Sequence, residues 1–193
     1  MKKTIKTEDK CVICGSQDAE FITDKLRHNK PGTVVRCEKC SLVRNVGALD
    51  FEDKADEFYQ EEYAKTYHQG LKSSLDTLFD SFLPVQQERI DKMKKYFKKS
   101  HNLIDIGCAV GYFPYSVQDK YVKDAYGIEL NAQEAQYAQQ VKNIETDSKP
   151  IEFSKFKDMK FNHICMFQLL EHIPNPIKFL THLNDYLKPG GFI

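Results

Sequence analysis

The chain has 193 residues, of which 41% are hydrophobic, so it is long enough to bury an apolar core. Its 28 lysines and arginines balance 28 aspartates and glutamates, which argues against a protein whose overall charge attracts nucleic acid or an anionic membrane. No apolar run reaches the roughly 20 residues of a membrane helix, and the basic start at Lys2 has no apolar stretch behind it, unlike a signal peptide. We therefore expect a cytoplasmic protein.

The first predicted element is a metal site. Four of the six cysteines form two C-x-x-C pairs that are separated by 22 residues: Cys11, Cys14, Cys37 and Cys40. Two residues between cysteines let both thiolates of a tight turn bind one ion, and two such turns complete a tetrahedral zinc site. Two disulfides are the alternative, but a chain without a secretory signal argues against them. The spacing predicts a structural zinc ribbon over residues 1–48.

Residues 49–100 are predicted to form a helical, tyrosine-rich region that acts as a lid or linker. Three phenols at intervals of four residues share one helix face: Tyr59, Tyr63 and Tyr67. This face either packs through its rings or meets a ligand. From Leu75 to Lys99 apolar residues recur at helical spacing, and Pro84 is expected to kink the helix or to split it in two.

Beyond His101 short apolar strands alternate with helices. Four strands are predicted near residues 103–106, 125–130, 143–146 and 163–167. Asn131 caps the helix after the second strand, and Asn175 with Pro176 opens the last helix, which is expected to end at Pro189–Gly191. This alternation predicts an α/β domain with a doubly wound, mostly parallel sheet and helices on both faces.

A glycine turn after the first of these strands is the candidate ligand site. Gly107 and Gly111 let the backbone approach a ligand, and the following helix offers free N–H groups. Glu129 ends the next strand, where a doubly wound fold places an acid for both hydroxyls of a ribose. The turn lacks the G-x-G-x-x-G of a dinucleotide site, and Asp105 suits an ammonium group better than a phosphate. An adenosyl group joined to an amino acid indicates S-adenosylmethionine.

Four stretches, in order, resemble the successive motifs of class I S-adenosylmethionine-dependent methyltransferases: Asp105–Gly111, Gly127–Glu129, Phe167–Pro176 and Leu187–Gly191. The resemblance implies a Rossmann-like domain over residues 101–193. The ribbon followed by the tyrosine-rich segment is similar to a bacterial branch whose members often modify sugars, nucleotide-linked sugars or other small metabolites in polysaccharide and natural-product pathways. We therefore expect O-methylation of a small-molecule acceptor of that class.

The resemblance also implies roles for single residues. The cofactor-binding residues are expected to be Asp105, Gly107, Cys108, Gly111, Phe113, Glu129, Leu130, Asn131 and Gln168. Within this set the aspartate and the glycines would hold the methionine part, Glu129 the ribose hydroxyls, and Gln168 would face the sulfonium. His172 is expected to act as a general base, with Glu171 as its orienting partner or a substrate contact. Some relatives use these two residues to bind Mg²⁺, and a purely structural role for His172 is the alternative.

The family's sheet has seven strands, whereas the sequence ends as a fifth is expected to begin, at Phe192. We expect either a fragment or a compact variant in which a homodimer covers the open sheet edge. Two other functions stay open. One is an RNA methyltransferase that grips RNA with its ribbon, although residues 1–50 with zinc bound carry a net charge of only about +1. The other is a non-catalytic protein that binds an adenosyl ligand or acts as a scaffold.

Overall fold

The structure is a computed structural model that describes residues 3–26, 31–46, 74–173 and 175–193. The described residues form two compact units. The first contains the described residues up to 46 together with those of the segment 173–180, and the second contains residues 74–172 and 181–193. None of the described helices is both long enough and apolar enough to cross a lipid bilayer.

The first unit contains a four-stranded antiparallel sheet in the order β1-β2-β3-β4. Its strands are β1 (Thr4–Lys6), β2 (Asp18–Lys25), β3 (Pro31–Cys37) and β4 (Val43–Asn45). The fully buried apolar side chains that these strands contribute are small, since they are those of Ala19, Val35 and Cys37. Among the described residues, so few buried atoms stabilise a sheet poorly, and small units of this kind are usually stabilised by a metal or another cross-link.

The second unit contains a five-stranded sheet in the order β7-β6-β5-β8-β9, in which all neighbours are parallel. Its strands are β5 (Asn102–Ile106), β6 (Asp124–Ile128), β7 (Glu145–Asp147), β8 (Phe161–Cys165) and β9 (Leu187–Phe192). The sheet confirms the predicted Rossmann-like α/β class. Because β5 lies at the centre, the carboxyl ends of β6, β5 and β8 meet beside one another, and ligands of open parallel sheets bind at that edge.

Five helices are described: α1 (Leu75–Phe82), α2 (Val85–Met93), α3 (Tyr112–Val117), α4 (Ala132–Val141) and α5 (Pro176–Asn184). Three 3₁₀ turns span Lys94–Tyr96, Ile151–Phe153 and Leu170–His172. Pro84 lies between α1 and α2, so the predicted split is confirmed. The predicted helix through Tyr59, Tyr63 and Tyr67 lies outside the described residues. The limits proposed for the three regions, at residues 48 and 100, stay predictions.

A hydrophobic cluster packs α2 and α3 against one face of the sheet. Its buried members are Ile90, Leu103, Phe113, Val117, Val122, Ala125 and Cys165. Side chains two residues apart share a face of a strand, so Asp105 points to the same side as Leu103. The candidate site therefore begins where this core ends.

The last strand differs from the prediction. The helix α5 ends at Asn184 rather than at Pro189–Gly191, and these residues lie inside β9, which begins at Leu187 rather than at Phe192. The pairing of β9 with β8 shifts in register between Phe161 and His163. A proline and two glycines are tolerated here because β9 is an edge strand of the described sheet and the ladder is irregular.

Candidate functional site

The glycine turn has the left-handed backbone that its residue types suggest. Gly107 has φ of 76° and Gly111 has φ of 81°, values that glycine adopts without a steric cost. The N–H groups of Gly107 and Cys108 both donate to the Ile128 carbonyl, at 2.8 and 3.0 Å. Ala109 also lies in the left-handed region, with φ of 49°. The turn is thus fixed to the end of β6 before any ligand is considered.

Asp105 is a buried acid near the end of β5. The residue is 2% exposed, and its Oδ1 has no hydrogen-bond partner among the described residues. Burial raises the pKa of Asp105 well above its ordinary range; the charge of Arg89 lowers it and that of Glu129 raises it further. A buried carboxyl oxygen without a partner costs free energy. The position therefore fits a ligand that brings hydrogen-bond donors, such as an ammonium group.

Glu129 follows β6 and joins the turn to the next helix. Its Oε2 accepts from the Ala109 N–H at 2.9 Å, and its Oε1 accepts from the Asn131 N–H at 2.8 Å. Burial raises the pKa of Glu129, while hydrogen bonds from Asn131 and Ala109 lower it. The backbone of Leu130 also lowers this pKa. An ionised carboxylate has about four lone-pair sites, so Glu129 can still accept a hydrogen bond from a ligand hydroxyl. Glu129 lies directly after the last residue of β6, and its role in binding a ribose stays a prediction.

Arg89 of α2 is a candidate site residue that sequence reasoning missed. Its Cζ lies 4.2 Å from the centre of the Phe167 ring, and its Nη1 donates to Gln86 Oε1 at 3.0 Å. Its charge reaches Asp105, but no hydrogen bond joins the two side chains. A separated acid and guanidinium fit a zwitterion, with its ammonium at the acid and its carboxylate at the arginine. The available signal was that Arg89 is the only arginine after Arg44, in a segment rich in lysine.

The segment after β8 carries the predicted catalytic residues. Gln168 is exposed and has φ of 56°, which is uncommon for a residue other than glycine. The 3₁₀ turn that follows holds the exposed Glu171 and the half-buried His172, whose N–H donates to the Leu169 carbonyl at 2.8 Å. Glu171 and His172 belong to no group of three or more metal-ligand side chains in the described part of the chain. Their catalytic roles stay predictions.

The other predicted cofactor residues lie near the glycine turn in the sequence or just after β6. Phe113 is fully buried and packs edge-on against Phe167, with ring centres 4.6 Å apart. Cys108 is 1% exposed. The side chains of Phe113 and Cys108 are therefore both part of the buried core. Leu130 is half-buried, and Asn131 Oδ1 accepts from the N–H groups of residues 133 and 134 as the N-cap of α4.

Asp147 is the last residue of β7, and both of its side-chain oxygens accept hydrogen bonds from the backbone. Its Oδ1 accepts from the Lys149 N–H at 3.1 Å, and its Oδ2 accepts from the Lys155 N–H at 2.8 Å. The carboxylate thus holds the loop after β7 in shape. An adenine contact would have to use the lone pairs that these two bonds leave over.

The four predicted ligand cysteines come together in the first unit. Their Sγ atoms all lie within 4.8 Å of one another, with 3.5 Å between Cys11 and Cys40 and 3.4 Å between Cys14 and Cys37. Thiolates about 2.3 Å from a central zinc would be about 3.8 Å apart in a tetrahedron. Backbone N–H groups, first that of Cys40, lower the pKa of Cys37, whereas the pKa of Cys40, which a hydrogen bond from the Leu42 backbone lowers, is raised overall by burial and the three neighbouring cysteines. The donor set therefore fits zinc.

The two cysteine turns have the same backbone design. The N–H of Gly15 donates to the Cys11 carbonyl at 2.8 Å, and that of Ser41 donates to the Cys37 carbonyl at 2.9 Å. Both residues are left-handed, with φ of 72° and 63°. The sequence indicated this conformation for the first turn through its glycine. It gave no such signal for the second, where a serine takes the same conformation.

Comparison with known proteins identifies the family. A family model described as a methyltransferase domain matches residues 79–193. The chain belongs to this methyltransferase family. The match covers Arg89, the glycine turn, Glu129 and the segment after β8, and it confirms the family that the motifs predicted.

Similar proteins carry out varied methyl transfers. The mitochondrial ubiquinone biosynthesis O-methyltransferase of Dictyostelium discoideum is 26% identical over 127 residues, which are 58% of this chain and 40% of that protein. Phosphoethanolamine N-methyltransferase 2 of Caenorhabditis elegans is 26% identical over 113 residues, which are 54% of this chain and 26% of that protein. The matched part of this chain therefore spans less than half the length of either relative.

The fold also matches a solved structure. The plantazolicin methyltransferase BpumL, in complex with SAH, superposes with a TM-score of 0.50 at 20% identity. The likeness covers 73% of this chain and 56% of that one. At this identity the likeness concerns the fold, and it agrees with the parallel sheet described above.

Proposed function

We propose that the second unit binds S-adenosylmethionine at the carboxyl ends of β5 and β6 and methylates a small molecule. The observation that carries the proposal is Asp105, whose buried Oδ1 has no hydrogen-bond partner among the described residues. Asp105, the glycine turn and Glu129 all lie within the residues that the methyltransferase family model matches. A ligand without hydrogen-bond donors would leave Oδ1 of this carboxylate without a partner. A ligand that combines an ammonium group with a ribose satisfies both acids.

Three side chains would orient the cofactor. Asp105 would hold its ammonium group, Arg89 its carboxylate, and Glu129 the ribose hydroxyls. Fixing both ends of an elongated ligand leaves the group between them in one position, and such alignment is the main requirement of an in-line displacement. When bound, the cofactor supplies a methyl carbon that its sulfonium makes electrophilic.

The acceptor side is formed by the segment after β8. His172 would take the proton from an acceptor hydroxyl as the hydroxyl oxygen bonds to the methyl carbon, the bond from that carbon to sulfur breaks, and S-adenosylhomocysteine leaves. Glu171 would orient the imidazole or contact the acceptor. Gln168 would face the sulfonium. His172→Ala is expected to lower kcat by about 100-fold or more, in line with the usual contribution of a general base, while SAH affinity changes little.

A sugar or nucleotide-activated metabolite is our proposal for the acceptor. Its support is the resemblance of the cysteine ribbon and tyrosine-rich segment to the bacterial branch that modifies such compounds. The named relatives act in different pathways, as O- and N-methyltransferases, and do not select an acceptor. A radiolabelled methyl-transfer screen with sugars, nucleotide sugars, phenols and amines tests this point, and transfer to phenols or amines alone would contradict it.

We further propose that the cysteine cluster holds one structural Zn²⁺. The ion would replace the apolar core that the first unit lacks. We expect one zinc per chain by elemental analysis, and loss of that zinc with unfolding of the β1–β4 sheet in Cys37→Ser. Cys165→Ala is the matched control, because it removes a thiol outside the cluster. Equal zinc content in both variants would contradict the assignment.

Cofactor binding is tested by calorimetry with S-adenosylhomocysteine. We expect binding by the wild type and a loss of at least about tenfold in Glu129→Ala, equivalent to about 1.4 kcal/mol. Glu145→Gln, which changes an exposed carboxylate of β7, is the control and should bind as the wild type does. No binding by a folded wild-type chain, or equal binding by all three proteins, would refute the proposed site.

A further inference from the structure

We propose that the Asp105 carboxyl carries a proton in the cofactor-free protein and releases it when the ammonium group of the cofactor binds. One proton then leaves the protein for each cofactor molecule bound. The inference rests on the proposed function, because it takes an S-adenosyl ligand as the occupant of the site. It adds a proton balance to the binding step.

No described residue donates a hydrogen bond to Oδ1 of Asp105. On β6 its register partner is Gly127, which has no side chain, and on β8 it is Cys165, which is 4% exposed. The strand backbone on both sides is engaged in the parallel ladder. Asp105 itself is 2% exposed, and its Oδ1 is buried without a hydrogen-bond partner among the described residues. A buried charge without partners is strongly disfavoured, and such groups usually neutralise.

The charges and titratable groups that act on Asp105, or that it acts on, come from every element around it. Arg89 of α2 favours the carboxylate, whereas Glu129 after β6 opposes it, and burial outweighs both. Tyr112 of α3, Cys108 of the turn and Cys165 of β8 have raised pKa values, mainly from burial, with Asp105 contributing to each. None of these three supplies a positive charge. Within this described set, Arg89 is the single cation facing two carboxyl groups.

Binding of an ammonium group reverses the balance. An adjacent positive charge and its N–H donors both favour the carboxylate. An α-ammonium group keeps its own proton below about pH 7.7. The proton released to solvent therefore comes from Asp105 and not from the ligand. By linkage, affinity should rise about tenfold per pH unit over the range in which Asp105 of the free protein is protonated.

Glu134 is a second buried carboxyl, and its proton has to be distinguished from that of Asp105. Burial raises the pKa of Glu134 to about 8, with a contribution from the charge of Glu129, so Glu134 is a competing source of the proton. Glu134→Gln removes this source and leaves Asp105 in place. Asp105→Asn removes the proposed source, and an infrared measurement on the wild type covers the case in which this variant no longer binds.

The experiment is calorimetric titration of the full chain with S-adenosylhomocysteine at about pH 6.5, where the ligand ammonium is protonated, in buffers of different ionisation enthalpy. We expect about one proton released by the wild type and by Glu134→Gln, and none by Asp105→Asn. The infrared difference spectrum of the wild type should lose a protonated-carboxyl C=O band on binding. Tight binding with neither proton release nor this band overturns the inference but leaves the cofactor site intact.

Two further results are decisive. Proton release that persists in Asp105→Asn and disappears in Glu134→Gln assigns the proton to Glu134 and overturns the inference. Absence of any binding by the folded wild type overturns the proposed function, and the inference with it. Failure of the inference alone and failure of the site are therefore distinguishable.

Discussion

Substitution of Gly127 by alanine tests how tightly the end of β6 is packed against the glycine turn. A β-carbon at this position would lie 2.4 Å from Cys108 Sγ and 3.0 Å from Thr146 Cγ2. Cys108 is 1% exposed, so its sulfur cannot move into solvent. Overpacking of this kind costs about 1–3 kcal/mol, and we expect Gly127→Ala to lower the free energy of unfolding by that amount. SAH affinity should fall as well, because Glu129 lies two residues further along.

A double-mutant cycle separates this clash from a general intolerance of β6. In a Cys108→Ala background the sulfur is gone, and the shortest remaining contacts of the new β-carbon are 3.0 and 3.1 Å. In that background Gly127→Ala should lower the free energy of unfolding by at least about 1 kcal/mol less than it does in the wild type. Urea unfolding followed by far-UV circular dichroism reports on the second unit, which contains α1 to α4. Costs that add within about 0.5 kcal/mol would refute the steric explanation.

Three further predictions concern backbone strain and buried titratable groups. Ala109→Gly should raise the free energy of unfolding by up to about 1 kcal/mol in the same assay, because a left-handed alanine costs about 1–2 kcal/mol and the gain in unfolded-state entropy offsets part of the relief. Burial lowers the pKa of His163 to about 4. Below about pH 6.5 the unfolded chain therefore binds a proton that the folded protein does not, and the free energy of unfolding should fall by up to about 1.4 kcal/mol per pH unit until about pH 4. His163→Phe should flatten that slope, and an unchanged slope would contradict the assignment. Asp105→Asn should raise the melting temperature of the cofactor-free protein above neutral pH, since burial raises the pKa of Asp105 and ionisation then opposes folding; a lower melting temperature would contradict this.

The elements predicted correctly are those whose signals are local. Pro84 removes a backbone donor and separates two helices, Asn131 caps α4 with its own side chain, and the apolar runs around Ile104 and Ile164 are too short and too buried for anything but parallel strands. The cysteine spacing likewise predicts that the four Sγ atoms lie close together, as they do, while the zinc ion itself stays a proposal. Each of these features depends on a few neighbouring residues.

The features that the sequence did not reveal depend on contacts between distant segments. The role proposed for Arg89 depends on its position over the ring of Phe167, which follows β8, and helical periodicity alone does not distinguish this arginine from the lysines beside it. The position of β9 was missed because a proline and two glycines usually end a helix, whereas an irregular edge ladder accommodates them. His101 and His163, 2.8 Å apart through Nδ1 and Nε2, pair across 62 residues. No local pattern encodes such a contact.

The distribution of strained residues in the second unit supports the placement of the site. Four residues other than glycine have positive φ there: Ala109, Asp119, Asn143 and Gln168. Asp119 and Asn143 precede β6 and β7, and residues of these types adopt the left-handed conformation readily because their short polar side chains bond locally. Alanine and glutamine have no such compensation. Both lie after strands β5 and β8, at the same edge as the unpartnered Asp105. Strain and an unsatisfied acid persist together only where the surrounding fold enforces them, and this is the usual condition of a binding site.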